Sequence, residues 1–226
     1  MNAGGFPVDL ILFGLIAGFL VLRLRSILGR RTGFERPAQF QAPPGAGQPG
    51  APPRPEARVI DSHAEPAMPP RRLPDPASPA GQALGRIQAA DRGFDPARFL
   101  GQAEQAFRMI VGAFADGNRE ALRPLVAPDV FHAFDQAIGA REAAGHRQST
   151  EIRAIPTVAI EAAEFAGSEA RLTLKFVSDQ VSLTRDAAGA TVAGTDAVTE
   201  LTDLWTFERD LRGSDPTWRL VAVRGG

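Results

Sequence analysis

Glu169–Arg185 reads EARLTLKFVSDQVSLTR, and this stretch decides the fold class. Apolar and polar residues alternate along it, which is the period of a β-strand with one buried face. The apolar positions are Ala170, Leu172, Leu174 and Phe176. Extended segments are also predicted at 152–165, 197–211 and 217–224, and Pro156 within the first indicates an edge or a bulge. Because the turn sequence Asp186-Ala-Ala-Gly189 directly follows the quoted stretch, we predict an antiparallel sheet.

Upstream of these strands the apolar spacing is helical. Asp95-Pro96 provides an N-cap followed by proline at the first helical position, and apolar residues then recur three and four residues apart as far as Gly117. Asn118 can cap a short second helix. Pro128-Asp129 begins a third helix, which Gly145 ends. Three helices that precede an antiparallel sheet indicate the α+β class.

The N-terminus carries the pattern of a membrane anchor. No polar side chain occurs from Leu10 to Leu22, where the residues expected in the hydrocarbon are Leu10, Ile11, Leu12, Phe13, Leu15, Ile16, Phe19, Leu20, Val21 and Leu22. No Lys or Arg precedes the run and no small-x-small site follows it, which disfavours a cleaved signal peptide. The run is shorter than the about 20 residues of a typical span, and an anchor that lies in the interface is the alternative.

A basic collar follows the apolar run and predicts the topology. It consists of Arg23, Arg25, Arg30 and Arg31. The positive-inside rule places this side of the span in the cytoplasm. We therefore expect a single-pass protein of the cell inner membrane, with its folded domain cytoplasmic.

Three regions follow from the composition. Residues 1–36 form the anchor with its basic collar, and residues 37–90 are rich in Pro, Ala and Gly. Such a segment cannot bury enough apolar surface to offset its ordering entropy, so we predict a disordered tether. Residues 91–226 form the predicted folded domain.

The composition excludes several kinds of chemistry. The formal net charge is −1, so no global basic field indicates a nucleic-acid partner. The chain contains no cysteine, which excludes disulfides, a thiol nucleophile and cysteine-ligated metal. No phosphate loop, nucleophile elbow or zinc signature occurs, and the three histidines are scattered. We expect no metal and no cofactor.

The stretch LTDLWTFERD at 201–210 contains the main candidate for chemistry. On a strand it places Asp203, Trp205 and Phe207 on one face. A carboxyl group among aromatic rings can have a raised pKa suited to acid–base catalysis, whereas the alternative is a structural carboxylate paired with an arginine. The Arg141-Glu142 pair is most simply interpreted as solvated charge.

Three longer segments together resemble a known family. They are FLGQAEQAFRMIVGAFADGNREALRPLVAPDVFHAFDQAIGAREAAG, RLTLKFVSDQVSLTRDAAG and VTELTDLWTFERDLRGSDPTWRLVAV. They resemble the Tim44-like domain, and with the anchor and the LRSILGRRTGFERP junction the chain is most similar to the alphaproteobacterial TimA-type Tim44-like proteins. The resemblance implies an NTF2-like cone, in which helices pack on a curved antiparallel sheet around an apolar cavity. The residues expected to line it are Phe99, Phe107, Phe131, Phe134, Asp203, Trp205 and Phe207.

The resemblance also implies a function. The family's mitochondrial namesake tethers the Hsp70 of the import motor at the inner-membrane channel, but its long charged N-terminal region has no counterpart here. We therefore expect a membrane-anchored adaptor that binds protein partners, in membrane-protein biogenesis or protein transport, and not an enzyme. The alternative is a small-ligand binder or an enzyme that uses the cavity with Asp203 as acid or base. The absence of tyrosine weighs against that alternative.

Overall fold

The structure is a computed structural model that describes residues 71–225. The predicted anchor and its arginines lie outside the described residues, as does most of the predicted tether. No helix within 71–225 is both long enough and apolar enough to cross a membrane.

Four helices precede the four long strands in the described part of the chain. They are α1 (Pro79–Ala90), α2 (Pro96–Asp116), the short α3 (Arg119–Leu122) and α4 (Pro128–Ala143). The predicted start of α2 is confirmed, because the Asp95 carboxylate accepts hydrogen bonds from two backbone N–H groups of its first turn, at 2.8 and 3.1 Å. The predicted end is confirmed as well, since Gly117 adopts a left-handed conformation with φ of 71°.

Five strands form one sheet in the order β1-β2-β3-β4-β5. They are β1 (Arg71–Arg72), β2 (Arg147–Ala166), β3 (Glu169–Arg185), β4 (Thr191–Asp210) and β5 (Arg219–Gly225). Neighbouring strands are antiparallel except for β1, which pairs parallel to β2. The α+β class is confirmed. The sequence predicted an edge or a bulge at Pro156, and the structure has a bulge there, because the register of β2 against β3 shifts between Ala154 and Thr157.

The N-terminal boundary of the folded region differs from the prediction. We expected a disordered tether over 37–90 and a folded domain from 91, but residues 79–90 form α1. Ser78 caps this helix by accepting a hydrogen bond from the backbone N–H of Gly81 at 3.0 Å. The helix buries Ala83, Leu84 and Ile87, and the last of these is 0% exposed. The buried apolar stripe of α1 therefore offsets the entropy cost of ordering residues 79–90, although the proline-rich segment as a whole contains too few apolar residues to do so.

The hydrophobic core lies between the helices and one face of the sheet. Along β3 the even-numbered residues from Ala170 to Gln180 are buried, whereas the odd-numbered residues are half-buried or exposed. Apolar residues of α1, α2 and α4 pack with these buried positions in a single cluster. The buried side of the sheet is called the inner face below, and the opposite side the outer face.

Candidate functional site

The inner face brings together five of the seven predicted pocket residues. Phe99 and Phe107 project from α2, while Asp203, Trp205 and Phe207 occupy alternate positions of β4. Each of the five is at most 4% exposed. The predicted placement of Asp203, Trp205 and Phe207 on one strand face is thus observed.

Aromatic rings fill the space between α2 and the sheet. Phe107 stacks on Phe176 with 4.5 Å between ring centroids and lies 4.6 Å from the ring of Trp205. Phe99 lies 4.9 Å from Trp218 and meets Phe207 edge-on at 6.2 Å. Centroid distances of this size correspond to direct packing of the rings. These side chains therefore form an aromatic layer in the core.

The other two predicted residues, Phe131 and Phe134, belong to α4. Phe134 is buried and its ring centroid lies 5.1 Å from that of Phe114. Phe131 is half-buried, and the guanidinium of Arg123 sits 4.3 Å from its ring centroid. Both residues thus contact neighbours other than the five on the inner face.

A row of buried polar side chains continues the inner face beyond the aromatic layer. Ser178 and Gln180 on β3 are 0% and 1% exposed, and the Gln180 amide donates to the Ser178 hydroxyl at 2.7 Å. Asp203 is 2% exposed and is the cross-strand partner of Phe176. Ser178 follows Phe176 by two residues on β3, so Asp203 and Ser178 lie in neighbouring rows of the same face. This row of polar residues was not predicted from the sequence. Its signal was present, because the buried alternation from Ala170 to Phe176 continues with two polar residues.

The side chain of Trp205 carries a buried donor without a hydrogen bond. The indole Nε1 of Trp205 has no partner among the described residues, although the side chain is only 4% exposed. A buried N–H without a partner costs about 1 to 3 kcal/mol. The arrangement therefore places a carboxylate and an available N–H donor two residues apart on one strand face, beside aromatic rings.

An open cleft lies on the described domain away from the aromatic layer. It has a volume of about 1110 Å³ and is bordered by the C-terminal ends of α2 and α4, the start of β2 and the β3–β4 turn. None of the seven predicted pocket residues lines it. The predicted pocket residues and this cleft are therefore separate features.

Arg141 anchors the wall of this cleft, which corrects its interpretation as solvated charge. Its guanidinium donates to the carbonyl oxygens of Phe114 and Ala115 at 2.8 and 2.9 Å, and to the Gln148 side chain. Burial lowers the pKa of Arg141 from its usual value. A cation at these carbonyls complements the negative end of the α2 dipole.

Glu142 takes part in a separate network on the surface. Both of its carboxylate oxygens accept hydrogen bonds from Arg119, each at 2.9 Å, and Arg119 also binds Asp135 at 2.5 Å. The hydrogen bonds from Arg119 lower the pKa of Glu142 below its usual 4.5. This network joins α3 to α4.

The described residues contain no group of three or more His, Asp or Glu side chains positioned to hold a metal ion. The geometry of the inner face instead offers packing surface, hydrogen-bond donors and one carboxylate.

Among the solved structures that resemble the chain, two are distant likenesses. The intermembrane space region of the chloroplast protein ARC6 is 12% identical with a TM-score of 0.40, and the likeness covers 55% of this chain and 95% of that one. A protein of the NTF2-like family from Streptomyces avermitilis, assigned as a dehydratase, is 14% identical with a TM-score of 0.32, covering 55% and 92%. Among proteins with curated descriptions, none matches the chain.

A comparison with family models is more informative. The model of the Tim44-like domain matches residues 80–225, which is well over half of the 226-residue chain. The match begins within α1 and ends with β5, so it spans nearly all of the described fold. The chain belongs to the Tim44-like domain family.

Proposed function

We propose that this protein is a membrane-anchored adaptor that presents its Tim44-like domain to protein partners at the cytoplasmic face of the inner membrane. The observation that carries the proposal is the match of residues 80–225 to the Tim44-like domain. The apolar run from Leu10 to Leu22 and the arginines after it support the anchoring and the orientation. The partners are unidentified proteins of membrane-protein biogenesis or protein transport.

The finer identity is part of the same proposal. We propose that the chain is of the alphaproteobacterial TimA type and that its domain is an NTF2-like cone. The order of the helices and strands agrees with that fold. Function must still be argued from a site, because one fold hosts many activities.

The packing of the inner face supports a role without catalysis. Phe107 is 0% exposed and in ring contact with Phe176 and Trp205, so it lies in the core and does not face solvent. A substrate would have to separate these rings, which would expose apolar area at about 25 cal/mol per Å². We therefore propose that partners bind an outer surface of the domain and that the aromatic layer maintains its shape.

Crosslinking in intact cells, followed by detergent extraction and mass spectrometry, tests the adaptor proposal. Three forms are compared: the full chain, a form without residues 1–36, and a form in which an unrelated single span replaces 1–36. We expect the first and third forms to capture the same membrane or transport proteins and the second to lose them. Equal capture without the anchor, or no protein captured by any form, would refute the proposal.

The topology is tested separately with fusions at the C-terminus. A green fluorescent protein there should fluoresce, whereas alkaline phosphatase should be inactive, because the first folds in the cytoplasm and the second needs an oxidising compartment. Full release of the chain by carbonate at high pH would contradict a spanning anchor, since a span resists extraction.

A second candidate function is favoured by the Trp205 indole. Its unpartnered Nε1 and the carboxylate of Asp203 lie on one strand face, so a small polar ligand could accept a hydrogen bond there. Trp205→Phe removes the N–H and keeps an aromatic ring. If a small molecule copurifies with the full chain and is lost in Trp205→Phe while the fold remains, the ligand-binding candidate is supported. A wild-type chain that carries no small molecule in native mass spectrometry would refute it.

A further inference from the structure

Two arginines lie directly opposite each other at the border of the open cleft. Arg147 at the start of β2 is the cross-strand partner of Arg185 at the end of β3, and both residues are exposed. Both border the cleft of about 1110 Å³. On the other side of Arg185, β4 contributes Thr191 and no charge. The end of the sheet therefore brings two neighbouring cations, called the arginine pair below, to the cleft.

The nearest ion pairs on α4 and β2 do not involve the arginine pair. On α4, Glu142 is held through both carboxylate oxygens by Arg119. On β2, Glu151 lies four residues from Arg147, about 13 Å along the strand, and forms an ion pair with Arg153 at 2.8 Å. Both of these carboxylates are therefore already paired with other arginines.

Two further carboxylates border the cleft. One oxygen of Asp186, in the β3–β4 turn, accepts hydrogen bonds from the backbone N–H groups of Ala188 and Ala190, each at 2.9 Å. Asp116, at the end of α2, interacts with the charge of Arg141. No ion pair found in the described part of the chain includes either member of the arginine pair.

The arginine pair is unfavourable in the free domain. Like charges directly opposite each other on neighbouring strands destabilise a sheet. Departures from such local rules are expected mainly at functional sites, where a ligand compensates for them. The arginine pair is therefore a candidate for binding an anion.

The rest of the cleft is open and polar. The helices beside it, α2 and α4, end at Gly117 and Gly145, which have φ of 71° and 68°. Because the chain turns at these glycines, neither helix continues across the cleft. Its border also includes Ser149 and His146, whose side chains can form hydrogen bonds with a peptide backbone. The cleft thus has polar groups beyond the arginine pair.

We propose that the arginine pair binds a carboxylate of an acidic peptide segment on a partner protein. Opposed Cβ atoms on neighbouring strands are about 4.5 to 5.5 Å apart, so one carboxylate can accept hydrogen bonds from both guanidinium groups. The volume of the cleft suits a peptide segment, since it exceeds the space that one small anion fills. This inference rests on the proposed adaptor function, because it names the chemistry of the partner.

The charges around the cleft favour a carboxylate over a phosphate. Asp116, Glu142 and Asp186 all border the cleft. Their negative charges repel a doubly charged anion more strongly than a singly charged one. A carboxylate that is bound between the two arginines carries the smaller charge and therefore meets the smaller repulsion.

Binding of a fluorescein-labelled hexaglutamate peptide to the purified full chain in detergent tests the site. We expect a rise in fluorescence anisotropy that weakens with added salt, and no rise with hexaglutamine. Arg147→Gln and Arg185→Gln should each weaken binding about tenfold, because each removes one of two charge-assisted contacts. Arg224→Gln, at an exposed arginine of β5 outside the cleft, is the matched control and should leave the affinity unchanged.

Thermal unfolding gives a second readout that separates binding from a structural role. Without peptide, Arg147→Gln should raise the unfolding midpoint by up to about 4 °C, because it removes the contact between like charges. An arginine that stabilised the fold through its own contacts would instead lower the midpoint when replaced. Hexaglutamate should raise the midpoint of the natural chain more than that of the variant.

Several results would overturn the proposal. They are absence of hexaglutamate binding, equal binding of hexaglutamine, equal weakening by Arg224→Gln, and a lower midpoint in Arg147→Gln. Stronger stabilisation by inorganic phosphate than by hexaglutamate at equal ionic strength would also overturn it, because the site would then take a phosphate. If hexaglutamate does not bind but the anchored chain still captures partners in cells, only the cleft proposal is refuted. If the peptide binds but capture in cells fails, the adaptor proposal is refuted instead.

Discussion

Replacing Ile87 by alanine tests whether α1 belongs to the folded domain. Ile87 is 0% exposed and lies in the core cluster with residues of α2 and the sheet. The substitution removes three carbon atoms, worth about 2.4 kcal/mol of transfer free energy at 0.8 kcal/mol each. The cavity left behind raises the expected loss to about 2 to 5 kcal/mol.

This loss should be visible in thermal unfolding. A domain of this size shifts its midpoint by about 2 to 4 °C per kcal/mol, so we expect a fall of roughly 5 to 15 °C. The signal is the fluorescence of the full chain, whose two tryptophans, Trp205 and Trp218, both pack in the aromatic layer. Gln88→Ala, an exposed neighbour on the same helix, is the control and should change stability by at most about 0.5 kcal/mol. If Ile87→Ala and Gln88→Ala gave the same midpoint, α1 would not be part of the cooperative unit.

Three further predictions concern turns, caps and charge. Gly194→Ala should destabilise the domain by more than about 1 kcal/mol in chemical denaturation, because Gly194 has φ of +84° and an added Cβ would lie 2.1 Å from the Ser182 carbonyl oxygen; an unchanged midpoint would contradict this. Asp95→Ala should cost about 1 kcal/mol through loss of the α2 cap, whereas Asp95→Asn should recover most of it in the same assay. The folded-state pKa of Glu142 is depressed, so its contribution to stability is present above its usual 4.5 and is lost as pH falls through the lower folded-state pKa. The stability difference between wild type and Glu142→Gln should therefore vanish at low pH, and a difference that grew on acidification would refute the role of Arg119.

The helix ends were predictable because their signals are local. The Asp95 cap, the proline after it and the left-handed Gly117 act over a few residues, and each was found where the sequence placed it. α1 was missed although Ser78-Pro79 is the same kind of start signal. Its apolar stripe is short, and the surrounding prolines resemble those of a disordered segment. The average composition of residues 37–90 indicated disorder, whereas residues 79–90 form a helix that is ordered by packing against β2.

The strand ends depended on interactions further away. β4 begins at Thr191, six residues before the predicted start at 197, through a stretch that contains Gly194. Its pairing with β3, where Leu183 is the partner of Gly194, overrides the low strand propensity of glycine. The sequence thus predicted where the strands lie. It did not predict their full length, because pairing with a neighbouring strand extends them.

The predicted pocket illustrates the limit for the site. Alternation correctly placed Asp203, Trp205 and Phe207 on one face, since that follows from the backbone period. Whether such residues line a cavity or fill a core depends on the distance between α2 and the sheet, which no local pattern encodes. Here Phe107 of α2 stacks on Phe176 of the sheet, so no cavity separates the helix from the sheet at this point. The buried pair Ser178 and Gln180 was missed for a related reason, because polar residues in an alternating pattern are ordinarily assigned to the exposed side.

The position of β1 changes what the predicted tether would do. Arg71 begins the described fold as an edge strand beside Val158, and its guanidinium lies 3.4 Å from Glu104 on α2. The segment available as a tether is therefore 37–70 and not 37–90, which lowers its expected coil dimension from roughly 40 Å to roughly 32 Å. Since the chain enters the domain at the β1 edge of the sheet, the outer face is not covered by that entry point. If the apolar run from Leu10 to Leu22 anchors the chain as proposed, a tether of 37–70 would hold the domain nearer to the membrane than a tether of 37–90.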